Sequence, residues 1–316
     1  MHTRLIMLEG VPFTGKSTLS ELVAQQLELN GTPVFWAPEG LMLQQFFPSM
    51  LTVFDQPASL SEEALWNNWR DFVQAVARAD MTFVVDAALS YAGVHPLVAA
   101  DRSADAILAY ARRIADLCAP LHPCVIHLIG DADRIARTSI AERGAGWHDQ
   151  LIDQAAASPY QQARGRSGLA GAIAMLHDEQ ALTQQVLADV RWPTLTLDVT
   201  NAERDANQRA ILQFLGIPEV VVERPVLLPG ELGRYTGTYA AEAAEDAAET
   251  LIVQLEQETL ALHAPRMRYG ALVPVSAHRF HLTATQYDAE FVMEDDAARR
   301  LVLVRVDGMR QGFRRV

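Results

Sequence analysis

The chain has 316 residues, half of them apolar, and a formal net charge of −13 at pH 7. That length supports one large or two ordinary domains with a substantial core. The acidic balance argues against nucleic acid as a partner, because phosphate backbones need basic patches, and no apolar run approaches the roughly 20 residues that span a bilayer, so no membrane span is expected.

The N-terminus runs straight into Arg4-Leu-Ile-Met-Leu-Glu-Gly10, without the charged, apolar and small-residue succession of a secretion signal. A cytoplasmic protein is expected. Cys118 and Cys124 stand either side of a Pro-Leu-His-Pro turn, too few for a zinc site, and are expected as reduced thiols. Leu5 to Leu8 predicts a first strand, and Leu19, Leu22, Val23 and Leu27 predict a helix ended by Asn30-Gly31. Val34 to Ala37, Thr82 to Asp86, Cys124 to Ile129 and Thr194 to Val199 predict four more strands. Ser59 and Glu62 read as a capping box ahead of the stripe Leu65, Trp69, Phe72, Val73 and Val76. Strands joined by helices make a parallel sheet covered on both faces, so residues 1–223 are expected to form an α/β domain.

Beyond Pro225 the pattern changes. Arg234 to Tyr239, Leu251 to Leu255, Leu260 to His263, Leu272 to Val275, Phe280 to Thr283, Glu290 to Met293 and Leu301 to Val306 are short runs, several of them alternating. Spaced about every ten residues with turn residues between, they predict an antiparallel sandwich or barrel over residues 224–316. The boundary falls near residues 224 to 230, and the acidic stretch Glu242 to Glu249 reads as a solubility feature.

The chemistry concentrates after the first strand. Gly10-Val11-Pro12-Phe13-Thr14-Gly15-Lys16-Ser17 satisfies G-x-x-x-x-G-K-[ST] between a strand and a helix, and Lys16 is the only lysine of the chain. Gly10 and Gly15 let the backbone wrap an anion so that successive N–H groups point inward, and the helix start aims its positive dipole end at the same place. A compact ammonium suits that cradle better than a planar guanidinium. Ser17, with Thr18 beside it, offers a hydroxyl to magnesium. A site for ATP with Mg2+ is expected, and Phe13 is expected to alter the loop tip, because a bulky residue tolerates positive φ poorly.

With Pro38-Glu39-Gly40 after the second strand, Val84-Val85-Asp86 with Ser90-Tyr91-Ala92-Gly93 after the third, and Arg134, Arg137 and Arg143 in DADRIARTSIAERGAGW, the first 215 residues or so resemble the thymidylate-kinase-like branch of P-loop kinases. The resemblance implies a three-layer domain on a five-stranded parallel sheet and transfer of the γ-phosphate of ATP to a small-molecule acceptor. It implies a lid over Arg134 to Trp147 whose arginines close over the transferring phosphate. Where those kinases follow the third-strand Asp with an arginine that holds the acceptor phosphate, this chain has Ala87. The acceptor therefore stays open.

Lys16 and the loop amides are expected to hold the β- and γ-phosphates, and Ser17 with Asp86 the metal. Glu39, at the strand edge where open parallel sheets bind ligands, is a candidate to take or orient the acceptor proton, and Glu9, just before Gly10, is a lesser candidate to approach the metal or acceptor. Arg143, followed by Gly144, Gly146 and Trp147, is the leading lid candidate; Arg137 is second, and Arg164 and Arg166 follow. Trp66 and Arg70, with Phe46 and Phe47, either line an acceptor pocket or finish a core. His127 reads as a satisfied core histidine. A nucleotide-dependent switch and a catalytically degenerate ATP-binding module are the competing expectations.

The opening Leu232-Gly-Arg-Tyr-Thr-Gly-Thr-Tyr239 and Val306-Asp-Gly308 before a last strand make the C-terminal part resemble the small β-barrel attached to some penicillin-binding-like hydrolases. That resemblance implies a lipocalin-like barrel or half-barrel with an accessory, docking or dimerisation role, hence a homodimer among its expected states. Such a barrel either holds one small ligand or is filled by its own side chains.

Overall fold

The computed structural model describes residues 3–201, 203–222, 225, 227–242, 250–306 and 308–316. The acidic residues 243–249, Asp307, and residues 223, 224 and 226 at the expected boundary lie outside the described residues.

Five strands, β1 (Leu5–Glu9), β2 (Val34–Ala37), β3 (Thr82–Asp86), β4 (Cys124–Ile129) and β5 (Thr194–Asp198), form one all-parallel sheet in the order β2-β3-β1-β4-β5. Successive side chains of a strand point to opposite faces, and β1 serves both. Leu5 and Met7 join Phe83, Val85 and Val125 in the core shared with the helices Glu62–Arg78 and Ala104–Cys118. Ile6 and Leu8 join Val84, Ile126 and Leu128 against Val23 of the helix Lys16–Leu29 and Ile211 of the helix Arg204–Leu215. This is the three-layer arrangement that continuous apolar strands require. The register sets Leu8 beside Asp86 and Glu9 beside His127, so the loop after β1 and the last residue of β3 share the carboxyl edge of the sheet.

The expected capping box is displaced. Pro57–Ser59 forms a 3-10 turn in which the Ser59 hydroxyl donates to the Gln56 carbonyl. Ser61, extended, caps the next helix instead, accepting from the Ala64 amide at 3.2 Å.

The C-terminal strands β6 (Gly237–Ala241), β7 (Thr250–Glu256), β8 (Thr259–Ala264), β9 (Met267–Ser276), β10 (Arg279–Leu282), β11 (Tyr287–Glu294), β12 (Ala297–Arg305) and β13 (Arg310–Arg315) form a closed antiparallel barrel. Each pairs with the next, and β13 returns to β6. Its interior is filled. Tyr235, Phe280 and Phe291 lie with ring centroids 5.0 to 5.5 Å apart, and Tyr239 and Phe313 are fully buried with them. The run Arg234 to Tyr239 is not wholly strand: Gly233–Tyr235 is a 3-10 turn that drops the Tyr235 ring into the barrel, and its backbone carbonyl accepts from the Tyr239 hydroxyl at 2.7 Å.

One compact unit comprises Met1–Ser139 and His148–Val220, and the other Ile140–Trp147 and Val221–Val316. No helix among the described residues is long and apolar enough to cross a membrane. Cys118 and Cys124 are buried free thiols.

Candidate functional site

The loop Gly10–Ser17 leaves β1 through a position that only glycine can occupy. Gly10 has φ +146°, and a Cβ there would sit 2.4 Å from the Leu128 carbonyl oxygen. Gly15, with φ +84°, begins the helix Lys16–Leu29, whose N-terminus has no side-chain cap and no acidic residue in its first turn. The leading amides of such a helix carry its positive end toward whatever anion approaches. Phe13 has φ +76°, so the tip keeps a left-handed turn despite its bulky side chain. That backbone costs roughly 1–2 kcal/mol. The half-buried ring offsets it by packing on the cluster of Val11, Ala132, Ala136 and Leu176.

Lys16 is buried, and its Nζ donates to the Val11 carbonyl at 3.0 Å, which the Thr14 hydroxyl also meets at 2.9 Å. The Tyr91 ring lies 5.5 Å from the same ammonium. The Ser17 hydroxyl donates to Asp86 Oδ2. Asp86 is fully buried, and its Oδ1 has no hydrogen-bond partner among the described residues. Burial pushes the Asp86 carboxyl up; the Lys16 charge, the Ser17 hydroxyl and the Glu39 backbone amide pull it down, and burial prevails.

A buried carboxylate oxygen without a donor is costly unless a cation meets it. Ser17 and Asp86 are the residues here that could hold a divalent cation. No group of three or more His, Cys, Asp or Glu among the described residues is arranged as a metal site. Magnesium takes one or two carboxylates and completes its shell with waters and substrate phosphates.

Glu9 is held by the segment after β3. Its oxygens accept from the amides of Leu89 and Ser90 at 2.8 and 2.7 Å and from the Ser90 hydroxyl at 2.5 Å. Burial pushes its carboxyl up to about 7, against those donors and Lys16. The Ser90 hydroxyl also meets the Gly10 amide at 3.3 Å, so Glu9 and Ser90 tie the loop to the segment after β3.

Glu39 opens the helix Glu39–Phe46, half-exposed. Pro12 and Val11 line a narrow cleft with Tyr91 and His95, while Thr18 continues the first helical turn, half-buried.

The arginines have partners of their own. Arg137 pairs with Asp133 one turn earlier at 2.8 Å, both exposed, and Arg134 meets Asn201 at 3.1 Å. Arg164 pairs with Asp101 and lies 3.7 Å over the Tyr160 ring; Arg166 meets the Tyr160 hydroxyl at 3.0 Å and Asp178 at 3.4 Å. Arg143 belongs to the second unit, its guanidinium 4.9 Å over the Trp147 ring. The segment expected to flex as a lid is the start of the helix Ala145–Ala156, where the Gly146 amide donates to the Arg266 carbonyl at 3.0 Å.

Trp66 packs 6.3 Å from Tyr110 beneath Arg113; Phe46 and Phe47 pack on Phe72 and, respectively, Phe35 and Trp69. These aromatics finish a core. His127 is buried as expected, yet its Nε2 has no hydrogen-bond partner among the described residues, and burial lowers its pKa to about 4.

One pair escapes the sequence altogether. His95 Nδ1 meets Glu179 Oε1 at 2.8 Å, and both line the cleft beside Gly10, Val11 and Pro12. Burial lowers the His95 pKa, but the charge and hydrogen bond of Glu179, with the charge of Glu39, outweigh it and the net shift is upward. The partners stand 84 positions apart, so no local spacing announces them. The nearest signal is a carboxylate, Glu179, on a buried helical stripe with Met175, Leu176, Thr183 and Val186. No protein-family model matches the chain, and no curated protein matches it either.

Proposed function

We propose that this protein is an ATP-dependent phosphotransferase that moves the γ-phosphate to a small hydroxyl compound. The observation that carries the reading is the uncapped helix N-terminus at Lys16, framed by two left-handed glycines and set beside the Ser17–Asp86 pair. Backbone amides, a helix dipole and one buried ammonium converge there, which is what a polyphosphate tail demands.

Phosphoryl transfer needs positioning and charge neutralisation more than covalent chemistry from the protein. Lys16 would exchange the Val11 carbonyl for the outer phosphates, a swing its flexible stem allows. Magnesium, held through Ser17 and Asp86, would neutralise charge on the phosphates. Glu39, at the carboxyl edge of the sheet, would orient the acceptor hydroxyl and take its proton. The left-handed Phe13 at the loop tip favours a second reading, a nucleotide-binding module without turnover.

Incubation with γ-labelled ATP, magnesium and a panel of nucleosides, sugars and aminoglycosides tests the reading. Label on a small molecule supports it. Label released only as inorganic phosphate, whatever the acceptor, points to a switch. Calorimetric absence of ATP uptake by folded protein overturns it.

A further inference from the structure

A separate groove lies at the opposite edge of the parallel sheet, where the strands begin. Thr3 leads into β1, Pro123 into β4 and Pro193 into β5, and all three line an open space of about 620 Å3. That volume falls in the range of small-molecule sites, roughly 300–1,000 Å3. Every lining residue belongs to the first compact unit. Val190 and the two prolines give apolar walls, Trp192 supplies an indole, and Asp116 and His122 are the charged or titratable groups.

Charge is arranged here against the usual preference of helix ends. The helices Ala104–Cys118 and Gly168–Val190 both bring their C-terminal turns to the groove, and neither has a basic residue in its last turn. Each carries a carboxylate there instead, Asp116 and Asp189, at the negative end of the helix dipole. Asp189 has its counter-ion: Arg112 meets its two oxygens at 2.6 and 3.1 Å. The charge of Arg191 acts on the same carboxylate. Arg112 stands one turn before Asp116 and is thereby taken. Asp116, exposed and lining the groove, makes no ion pair among the described residues.

We propose that this groove is a second ligand site and that it takes a small protonated organic amine with a compact apolar body. The ammonium pairs with Asp116 and lies against the Trp192 indole, the ring type that attracts cations most strongly. Val190, Pro123 and Pro193 cover the apolar body, and an imidazole such as that of His122 offers an acceptor nitrogen in its neutral form. A carboxylate on the same body meets Asp116, Asp189 and two negative helix ends together, so the groove selects against anions. This site is independent of nucleotide binding at the carboxyl edge of the sheet.

Three probes with one phenyl body test the proposal by calorimetry on the full chain without nucleotide: phenethylamine, phenethyl alcohol and hydrocinnamate, respectively cationic, neutral and anionic. The amine is expected to bind at least tenfold more tightly than the alcohol, and the carboxylate to show no uptake. Asp116→Asn keeps the shape and removes the charge at an exposed position, where substitutions seldom disturb the fold. It is expected to weaken amine binding at least fivefold and to leave the alcohol within about twofold. The amine is also expected to change the tryptophan fluorescence of the wild type, and Trp192→Phe to abolish that change. Equal affinity for amine and alcohol, tighter uptake of hydrocinnamate, or amine binding unmoved by Asp116→Asn overturns the proposal. Absence of amine uptake by folded protein at millimolar concentration does so as well, and leaves the phosphotransferase reading, whose test uses ATP, untouched.

Discussion

The Ser17 hydroxyl donates to Asp86 Oδ2, joining the first turn of the helix Lys16–Leu29 to the last residue of β3. The other oxygen of that carboxylate, fully buried, has no hydrogen-bond partner among the described residues. The helix after β1 and the end of β3 therefore bring a hydroxyl and half of a carboxylate to the same edge, an arrangement that costs stability while that oxygen has neither donor nor cation.

Asp86→Asn removes that cost along with the charge, because an amide can still accept from Ser17. The variant is expected to gain roughly 0.5–2 kcal/mol without ligand, as strained functional positions do on neutralisation. It is also expected to lose the stabilisation that magnesium-ATP confers on the wild type. Scanning calorimetry with and without magnesium-ATP measures both. A lower-melting ligand-free variant would assign Asp86 a purely structural task.

Lys16→Ala deletes the one ammonium at the helix start. Triphosphate affinity is expected to fall at least 100-fold, about 2.8 kcal/mol at 1.4 per tenfold, with the far-ultraviolet circular dichroism unchanged. Titration calorimetry reads the affinity. Near-normal uptake would reject the phosphate-binding role.

Glu9 predicts a pH dependence with a defined sign. Its folded pKa, about 7, lies above the ordinary 4.5, so the folded chain keeps a proton that the unfolded chain has released. The corresponding stability is full below about pH 4.5 and is lost as pH rises through about 7, amounting to about 3 kcal/mol. Urea titrations at about pH 5 and about pH 8 on wild type and Glu9→Gln are expected to show a smaller loss in the variant. Parallel losses would remove Glu9 as the cause.

Burial pushes the thiols of Cys118 and Cys124 up to about 12. A thiol reacts as its thiolate, so Ellman's reagent is expected to label neither in the native protein and both once denaturant is added. Prompt labelling under native conditions would contradict the burial.

Phe280→Ala opens the centre of the barrel, where its ring lies 5.0 Å from Tyr235 and 5.5 Å from Phe291. A loss of about 3–5 kcal/mol is expected from denaturant titration. A loss under about 1 kcal/mol would mean that the interior collapses to fill the space.

Local pattern alone determined most of the elements. The five apolar runs became the five parallel strands, because burial on both faces leaves a strand few polar positions. The alternating runs after residue 230 became a barrel for the complementary reason, since one face of each strand turns inward. The glycines of the first loop were equally legible: Gly10 and Gly15 both stand in left-handed backbone, a property of the residue itself. Phe13 shows where that rule yields, its ring held by neighbours distant in sequence.

Tertiary structure decided which side chains meet. Ser17 and Asp86 are 69 positions apart and His95 and Glu179 are 84 apart, and each pair forms only once the strand order has been chosen. The aromatic stripe from Trp66 signalled a buried helical face without saying what it faces, and it faces other aromatics. Arg137 and Arg164 carry the charge expected of phosphate ligands, yet each is held by a carboxylate, one a helical turn away and one across the fold. Periodicity records whether a residue is buried, because burial is a property of one face of one element. The identity of its neighbour depends on how elements are ordered, and no single element encodes that.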